Sequence, residues 1–226
     1  MREGRVIMIE DVASTQDAAI AHNLQVGDAC VSFNQTDGRG RRGNGWDSSG
    51  GVAVTVVLNH ATPHLPIALA ATLASQLNNI IPSHTIGIKW PNDLFVCGKK
   101  LAGILIEQRE GRLLVGVGVN IRNAPMTSAI SLIELGFEGS MESVAHLITS
   151  SVLDGAQLDE TTAITAWRKR DILVGTTQIV QSGDNIIEGT VIDIDPCLNL
   201  ILETTAGILE LPASSSTIIT HCKSTT

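Results

Sequence analysis

Tyrosine is absent from this 226-residue chain, and with only three Phe and three Trp its aromatic content is 3%. Proteins that bind single-stranded nucleic acid rely on aromatic platforms for base stacking, so that class is disfavoured. Positive charge is scarce too: 15 Lys and Arg stand against 23 Asp and Glu, a formal net charge of -8. A general polyanion binder spreads basic residues over a whole face, which this balance argues against. No apolar run approaches the roughly 20 residues needed to cross a bilayer, and no membrane association is expected. The first ten residues lack the basic, apolar and cleavage regions of a signal peptide. The four cysteines (Cys30, Cys97, Cys197, Cys222) are far apart and form neither CxxC nor any Cys/His metal spacing. They read as reduced thiols, and the expected location is cytoplasmic. The six histidines show no ligand spacing either.

What remains is an ordinary globular composition, 43% hydrophobic and 17% charged, with enough apolar residues for a full core. Strands alternate with a few good helices. Strand-like segments are Arg5 to Ile9, Ala29 to Phe33, Val52 to Leu58, Ile86 to Trp90, Leu94 to Val96, Leu101 to Gln108 and Leu113 to Asn120. Cys97-Gly98-Lys99-Lys100 and Glu110-Gly111 read as tight turns. Ser14-Thr15-Gln16-Asp17 opens a helix with Ser14 as N-cap. Further helices are expected over His64 to Ile80, Ala129 to Leu135, Ser140 to Leu153 and Asp159 to Arg170. After Gly175 the chain turns rich in Thr, Ser, Val and Ile, with turns at about ten-residue intervals, the pattern of a small β-barrel. A boundary near Val174 therefore divides residues 1–174 from residues 175–226.

The most informative stretch is Gly38-Arg39-Gly40-Arg41-Arg42-Gly43, read together with Lys89-Trp90-Pro91-Asn92-Asp93 and Lys100-Leu101-Ala102-Gly103-Ile104-Leu105. Glycines let backbone N–H groups approach a ligand, and arginine presents a planar fork that matches phosphate or carboxylate. A local, mobile anion trap is thus set into an acidic protein. The letters also satisfy the dinucleotide fingerprint, but that motif needs a helix to follow at once. Asn44-Gly45-Trp46-Asp47-Ser48-Ser49-Gly50-Gly51 cannot start one soon enough. A P-loop needs Gly-Lys-Ser/Thr, which Gly43-Asn44-Gly45 lacks. The plainer reading, a solvated charged turn, is weakened by the density of Gly and Arg and by the adjacent Trp46.

These residues resemble the motifs of the biotin protein ligase family. Gln35-Thr36-Asp37-Gly38-Arg39-Gly40-Arg41-Arg42-Gly43 followed by Trp46 is similar to that family's ligand loop. The Lys89 and Lys100 strings resemble its next two signatures, Gly116-Val117-Gly118-Val119-Asn120 its fourth, and Ser14-Thr15 its serine-threonine pair. Five motifs in the right order cover residues 14 to 120. Lipoate ligases share the fold but lack, as a family, the combination of arginine loop and Lys-Trp-Pro-Asn-Asp. The resemblance implies an α+β fold of the class II synthetase type: a mixed sheet with helices largely on one face, then an SH3-like barrel. With Arg5 already strand-like, no helix-turn-helix is expected ahead of it, and DNA binding is not expected.

The implied activity is a two-step acyl transfer. Biotin and ATP, with Mg²⁺, give biotinoyl-5'-AMP, and a lysine of a biotin carboxyl carrier domain then accepts the biotin; a homodimer is left open. Two anions meet in the first step, so fixed positive charge is needed. By resemblance, Arg39, Lys100 and Asp93 would take catalytic roles. Ser14, Thr15, Gln16, Gln35, Gly38, Arg39, Gly40, Arg41, Lys100 and Gly103 would contact biotin. Arg39, Arg41, Arg42, Trp46, Lys89, Asn92 and Asn120 would contact ATP or the adenylate, Asn120 at the adenine edge; metal ligands are not assigned. Plainer roles stand beside these: Ser14 as a helix cap alone, Lys89 as a strand-end charge, Trp90 as core, Asp93 as a turn residue. Other readings are a lipoate-type ligase of the same fold and a non-catalytic nucleotide- or RNA-binding module. The loop from Asp37 to Ser49 has little apolar surface and three mutually repelling arginines, so few contacts are expected to hold it without ligand.

Overall fold

The computed structural model describes residues 4–195, 197 and 199–219. In chain order the elements are β1 (Val6–Met8), β2 (Asp11–Val12), α1 (Thr15–Ala21), β3 (Ala29–Ser32), β4 (Asn34–Gln35), β5 (Gly51–Leu58), α2 (Leu65–Ile80), β6 (Gly87–Lys89), β7 (Asp93–Val96), β8 (Lys99–Arg109), β9 (Arg112–Asn120), α3 (Met141–Gly155), α4 (Glu160–Arg168), β10 (Thr177–Ser182), β11 (Asn185–Ile194), β12 (Asn199–Thr204), β13 (Gly207–Pro212) and β14 (Ser216–Ile218). Seven strands form the main sheet in the order β1-β3-β5-β9-β8-β7-β6. It is mixed, because β1 pairs with β3 in parallel while the other pairs are antiparallel.

The two hairpins that carry the site close as their sequences require. Cys97 (φ 50) with Gly98 (φ 73), and Glu110 (φ 49) with Gly111 (φ 74), are two-residue turns with both residues left-handed, the geometry that matches strand twist. The first turn is shorter than the four residues expected, since Lys99 and Lys100 already belong to β8.

Strand alternation then assigns the two sheet faces. Val52, Val54, Val56 and Leu58 of β5 and Leu113, Val115, Val117 and Val119 of β9 join the main core. Helices α2, α3 and α4 cover this side, and Trp167 of α4 is 1% exposed there. The opposite face carries Val57 and Leu114, packed with Cys30 against Ala18, Ala19 and Leu24 on and after α1. Helix α1 is therefore the exception to helices on one face, and it leaves part of that second face open.

The helix expected over Ala129 to Leu135 is not formed; only Ile133–Leu135 makes a 3₁₀ turn. Its backbone groups are taken by the sheet: Ile130 N–H donates to Lys100 O (2.9 Å), Leu132 N–H to Asn120 O (3.0 Å) and Ile133 N–H to Ile121 O (2.9 Å). Helical periodicity in the side chains lost to edge-like pairing of the main chain. The short parallel pair β2–β4 also has no sequence signal beyond two residues on each side.

Residues 177–218 form a separate five-stranded antiparallel sheet, ordered β13-β12-β11-β10-β14, of SH3-like type. The expected turn at Asp195-Pro196 includes Pro196, and the expected free thiol Cys222 falls in the last seven residues; both lie outside the described residues. Val180, Val191, Leu200 and Leu202 of this sheet join the same core cluster as α2 to α4. No helix among the described residues is long and apolar enough to cross a membrane.

Candidate active site

The open part of the α1 face is a cleft because three sheet positions there have no side chain. Gly103 on β8 and Gly116 and Gly118 on β9 alternate with core residues and form its floor. A Cβ on Gly116 would stand 2.8 Å from Gln16 Nε2, and one on Gly118 2.2 Å from the Trp46 ring. At Gly103 it would lie 3.3 Å from both Lys100 Nζ and Asp93 Oδ1. The cleft is open to solvent.

One wall is uncharged and polar, and a chain of hydrogen bonds fixes it. Ser14 caps α1, its hydroxyl accepting from Gln16 N–H at 3.3 Å. Gln35 Oε1 accepts from Thr15 N–H (2.8 Å) and Thr15 Oγ1 (3.1 Å), while Thr55 Oγ1 donates to Thr15 Oγ1 (2.8 Å). Gln16 Nε2 donates to Leu105 O (3.2 Å), which leaves Gln16 Oε1 buried with no partner among the described residues. Trp46 Nε1, also buried at the cleft, is likewise unpartnered. The core residues Trp90 and Trp167 leave their indole N–H groups unpartnered in the same way, so this state is not special to the cleft.

The other wall is charged. Lys100 Nζ meets Asp93 Oδ1 at 2.8 Å and lies 5.5 Å from the Trp46 ring centre. Arg41 donates to Asn92 Oδ1 (3.3 Å) and to Ala213 O (2.5 Å). Arg39 is bidentate to Asp17, at 2.8 and 2.9 Å. That ion pair holds the Asp17 carboxyl down at about 2; hydrogen bonding from Arg39 is the leading cause, with Arg109 adding to it.

Most of the expected residues thus converge. Ser14, Thr15, Gln16 and Gln35 line the cleft, as do Arg39, Gly40, Arg41 and Trp46, and so do Asn92, Asp93, Lys100 and Gly103. Gly38 and Arg42 line a neighbouring depression on the far side of the loop instead. Asn120 does not line the cleft; its buried amide donates to Lys100 O (3.3 Å) and Ile130 O (3.2 Å), so it fixes the main chain that carries Lys100. Lys89 sits behind the wall, 9% exposed, with Nζ 5.4 Å from the Phe95 ring centre. Trp90 is core, at 3% exposure. Sequence reasoning missed Gly116 and Gly118 as floor residues, although a Gly-x-Gly inside a strand signals close approach of another group.

Two expectations about the arginine loop are corrected. Its three arginines are not equally free cations, because Arg39 is neutralised by Asp17 while Arg41 and Arg42 bond to neutral oxygens. Nor is it short of contacts: a 3₁₀ turn spans Arg41–Gly43, and Arg41 and Arg42 reach Ala213, Ser214 and Thr217 in the C-terminal sheet. Those partners lie more than 170 residues away in sequence, beyond any local reading. No α-helix follows the loop before β5, as the rejection of a dinucleotide fingerprint requires.

The model of the biotin/lipoate A/B protein ligase family matches residues 9–122, and the chain belongs to that family. More particularly, it resembles biotin–protein ligases. It is 36% identical over 120 residues to the biotin–[acetyl-CoA-carboxylase] ligase of Mycobacterium tuberculosis, which is 47% of this chain but 45% of that relative's length. It is 29% identical over 229 residues to the ligase of the same name from Paracoccus denitrificans, covering 90% of this chain and 95% of that one. Among solved structures, the biotin protein ligase from Aquifex aeolicus in complex with biotin and ATP superposes with a TM-score of 0.82 at 25% identity, covering 95% of this chain and 98% of that one.

Burial makes Lys89 the group whose titration is most telling. Desolvation is the main reason its ammonium falls from the ordinary 10.5 to about 8; Lys100 adds to this and Asp93 opposes it. The unfolded chain keeps the proton up to 10.5 while the folded one releases it near 8. Between those values the unfolded state binds more protons, so stability rises with pH, and below 8 the contribution is flat. Urea unfolding of the parent and Lys89→Met should therefore diverge from pH 8 to 10.5, the parent gaining on the order of 1–3 kcal/mol relative to the variant. Parallel profiles would contradict it.

Proposed function

We propose that this protein is a biotin protein ligase that forms biotinoyl-5'-AMP from biotin and ATP and passes the biotin to a lysine of a carboxylase carrier domain. The observation that carries the reading is the pairing, within one cleft, of an uncharged polar wall of Ser14, Thr15, Gln16 and Gln35 with a wall bearing Lys100, Arg39 and Arg41. A ureido ring presents both N–H donors and a carbonyl acceptor, which suits the first wall. A carboxylate meeting a triphosphate suits the second.

In the first step a biotin carboxylate oxygen attacks the α-phosphorus and the bond to pyrophosphate breaks. Two anions approach, so the cations on the second wall offset their repulsion and favour the charge that develops in the transition state. In the second step the neutral amine of the acceptor lysine attacks the acyl carbon and AMP leaves. Asp93, held by Lys100, is the carboxylate on the cleft wall that can orient that amine or take its proton. Trp46, over the floor glycine Gly118, covers the acyl chain or adenine from water. Among the described residues no group of three or more His, Cys, Asp or Glu could hold a metal. Mg²⁺ would travel with the ATP phosphates and neutralise the leaving pyrophosphate. The free thiols Cys30, Cys97 and Cys197 fit a reducing cytoplasm. We also place the boundary between the catalytic and C-terminal domains at residues 174/175, shortly before the second sheet begins at Thr177.

The direct test is the mass of a biotin carrier domain before and after incubation with this protein, MgATP and biotin or lipoate. A gain of one biotinoyl group is expected. A lipoyl gain alone would favour the lipoate reading, and no gain without biotin-dependent pyrophosphate release would leave a nucleotide-binding module. In the same assay Lys100→Ala should slow adenylate formation by about 10²-fold, the scale for losing one preorganised electrostatic donor. A single-turnover rate within a few-fold of the parent would remove Lys100 from the chemical step.

A further inference from the structure

We propose that Asp17, given only a helix-opening place in the sequence and no site role, is the positioning residue for Arg39: from behind the cleft it fixes the plane of the Arg39 fork so that the remaining edge meets the acyl-phosphate. This rests on the ligase reading. Arg39 sits on a glycine-rich loop, and a free arginine there would carry about 2 kcal/mol of rotamer entropy, too mobile to act as a preorganised donor. Asp17 removes that freedom. Its Oδ2 accepts from Nη1 (2.8 Å) and its Oδ1 from Nη2 (2.9 Å), so two parallel bonds set the guanidinium plane. A guanidinium has five N–H donors, and this arrangement uses two, leaving Nε–H and the other Nη hydrogens for a second anion.

The placement of Asp17 supports holding rather than competing. Arg39 lines the cleft whereas Asp17 does not, although its neighbours Thr15 and Gln16 do. The first turn of α1 thus builds the uncharged wall and aims the arginine with the next residue. The carboxylate is also balanced: Arg109 Nη1 donates to the same Oδ1 at 2.6 Å. Glu107 Oε2 lies 3.7 Å from Arg39 and 3.8 Å from Arg109. Two acids and two arginines make a neutral cluster, so Asp17 brings no excess negative charge toward an incoming phosphate. Its position in the first helical turn and its depressed carboxyl pKa of about 2 keep it ionised at neutral pH.

A positioning residue acts through the group it positions, and a double-mutant cycle reads that directly. The dissociation rate of preformed biotinoyl-adenylate would be measured in the full chain for the parent, Asp17→Asn, Arg39→Ala and the double variant, with thermal unfolding as a control on folding. Asp17→Asn should raise the rate by about 10-fold, the scale of a displaced contact, and Arg39→Ala by at least as much. The double variant should release no faster than Arg39→Ala alone. Asp17→Glu keeps the charge at the helix start but moves the carboxylate by one methylene, and it too should release faster than the parent. Slower or parent-like release by both Asp17 variants would show a competitor or a bystander and overturn the assignment, as would multiplicative effects in the double variant. A parent that forms no adenylate would overturn the ligase reading and this inference with it.

Discussion

Everything on the α1 face of the main sheet depends on β8 and β9 carrying no side chain at Gly103, Gly116 and Gly118. Glycine weakens a strand, since it brings no packing and loses more backbone entropy than other residues. The opposite face offsets that weakness: Val115, Val117 and Val119 alternate with the glycines and are buried in the main core. One strand thus performs two tasks by the two-residue period of the sheet. Its odd-numbered positions hold the core, and its even-numbered ones leave room for Gln16, Trp46 and a ligand.

Charge is organised on the same plan. Lys100 and Arg39 are each paired with a carboxylate, Asp93 and Asp17, rather than left as exposed cations. Arg41 and Arg42 instead bond to amide, hydroxyl and carbonyl oxygens, most of them in the C-terminal sheet. Their charge is not cancelled by those neutral partners, so they are the fuller source of positive potential at the loop. The C-terminal sheet therefore contributes to the site through the loop it anchors, as well as sharing the core.

The strands of the main sheet, α2, α3 and α4 were legible because their period is written in runs of Val, Ile, Leu and Ala. The site was legible because a chemical need, fixed cations beside close-approach glycines, selects rare residue combinations at fixed spacing. What stayed hidden was contact between distant segments. Asp17 to Arg39 and Arg109 spans 22 and 92 residues, and no local pattern joins them. Asn120 was assigned to adenine by resemblance, whereas its amide clamps the main chain at Lys100. The stretch from Ala129 to Leu135 has helical periodicity, yet β8 and β9 offered its backbone better partners. In each case a tertiary contact outweighed a local preference.

Ligand binding in the cleft depends on its bare floor, and Gly118 tests this most directly. Its backbone is ordinary strand, so a side chain there is tolerated by conformation and forbidden by space: a Cβ would lie 2.2–2.5 Å from three atoms of the Trp46 ring. Calorimetric titration of Gly118→Val with biotin, alongside its circular dichroism and unfolding midpoint, separates the two effects. A folded variant that has lost biotin binding is the predicted result. A variant that binds biotin as tightly as the parent would show that the ligand does not lie on this floor.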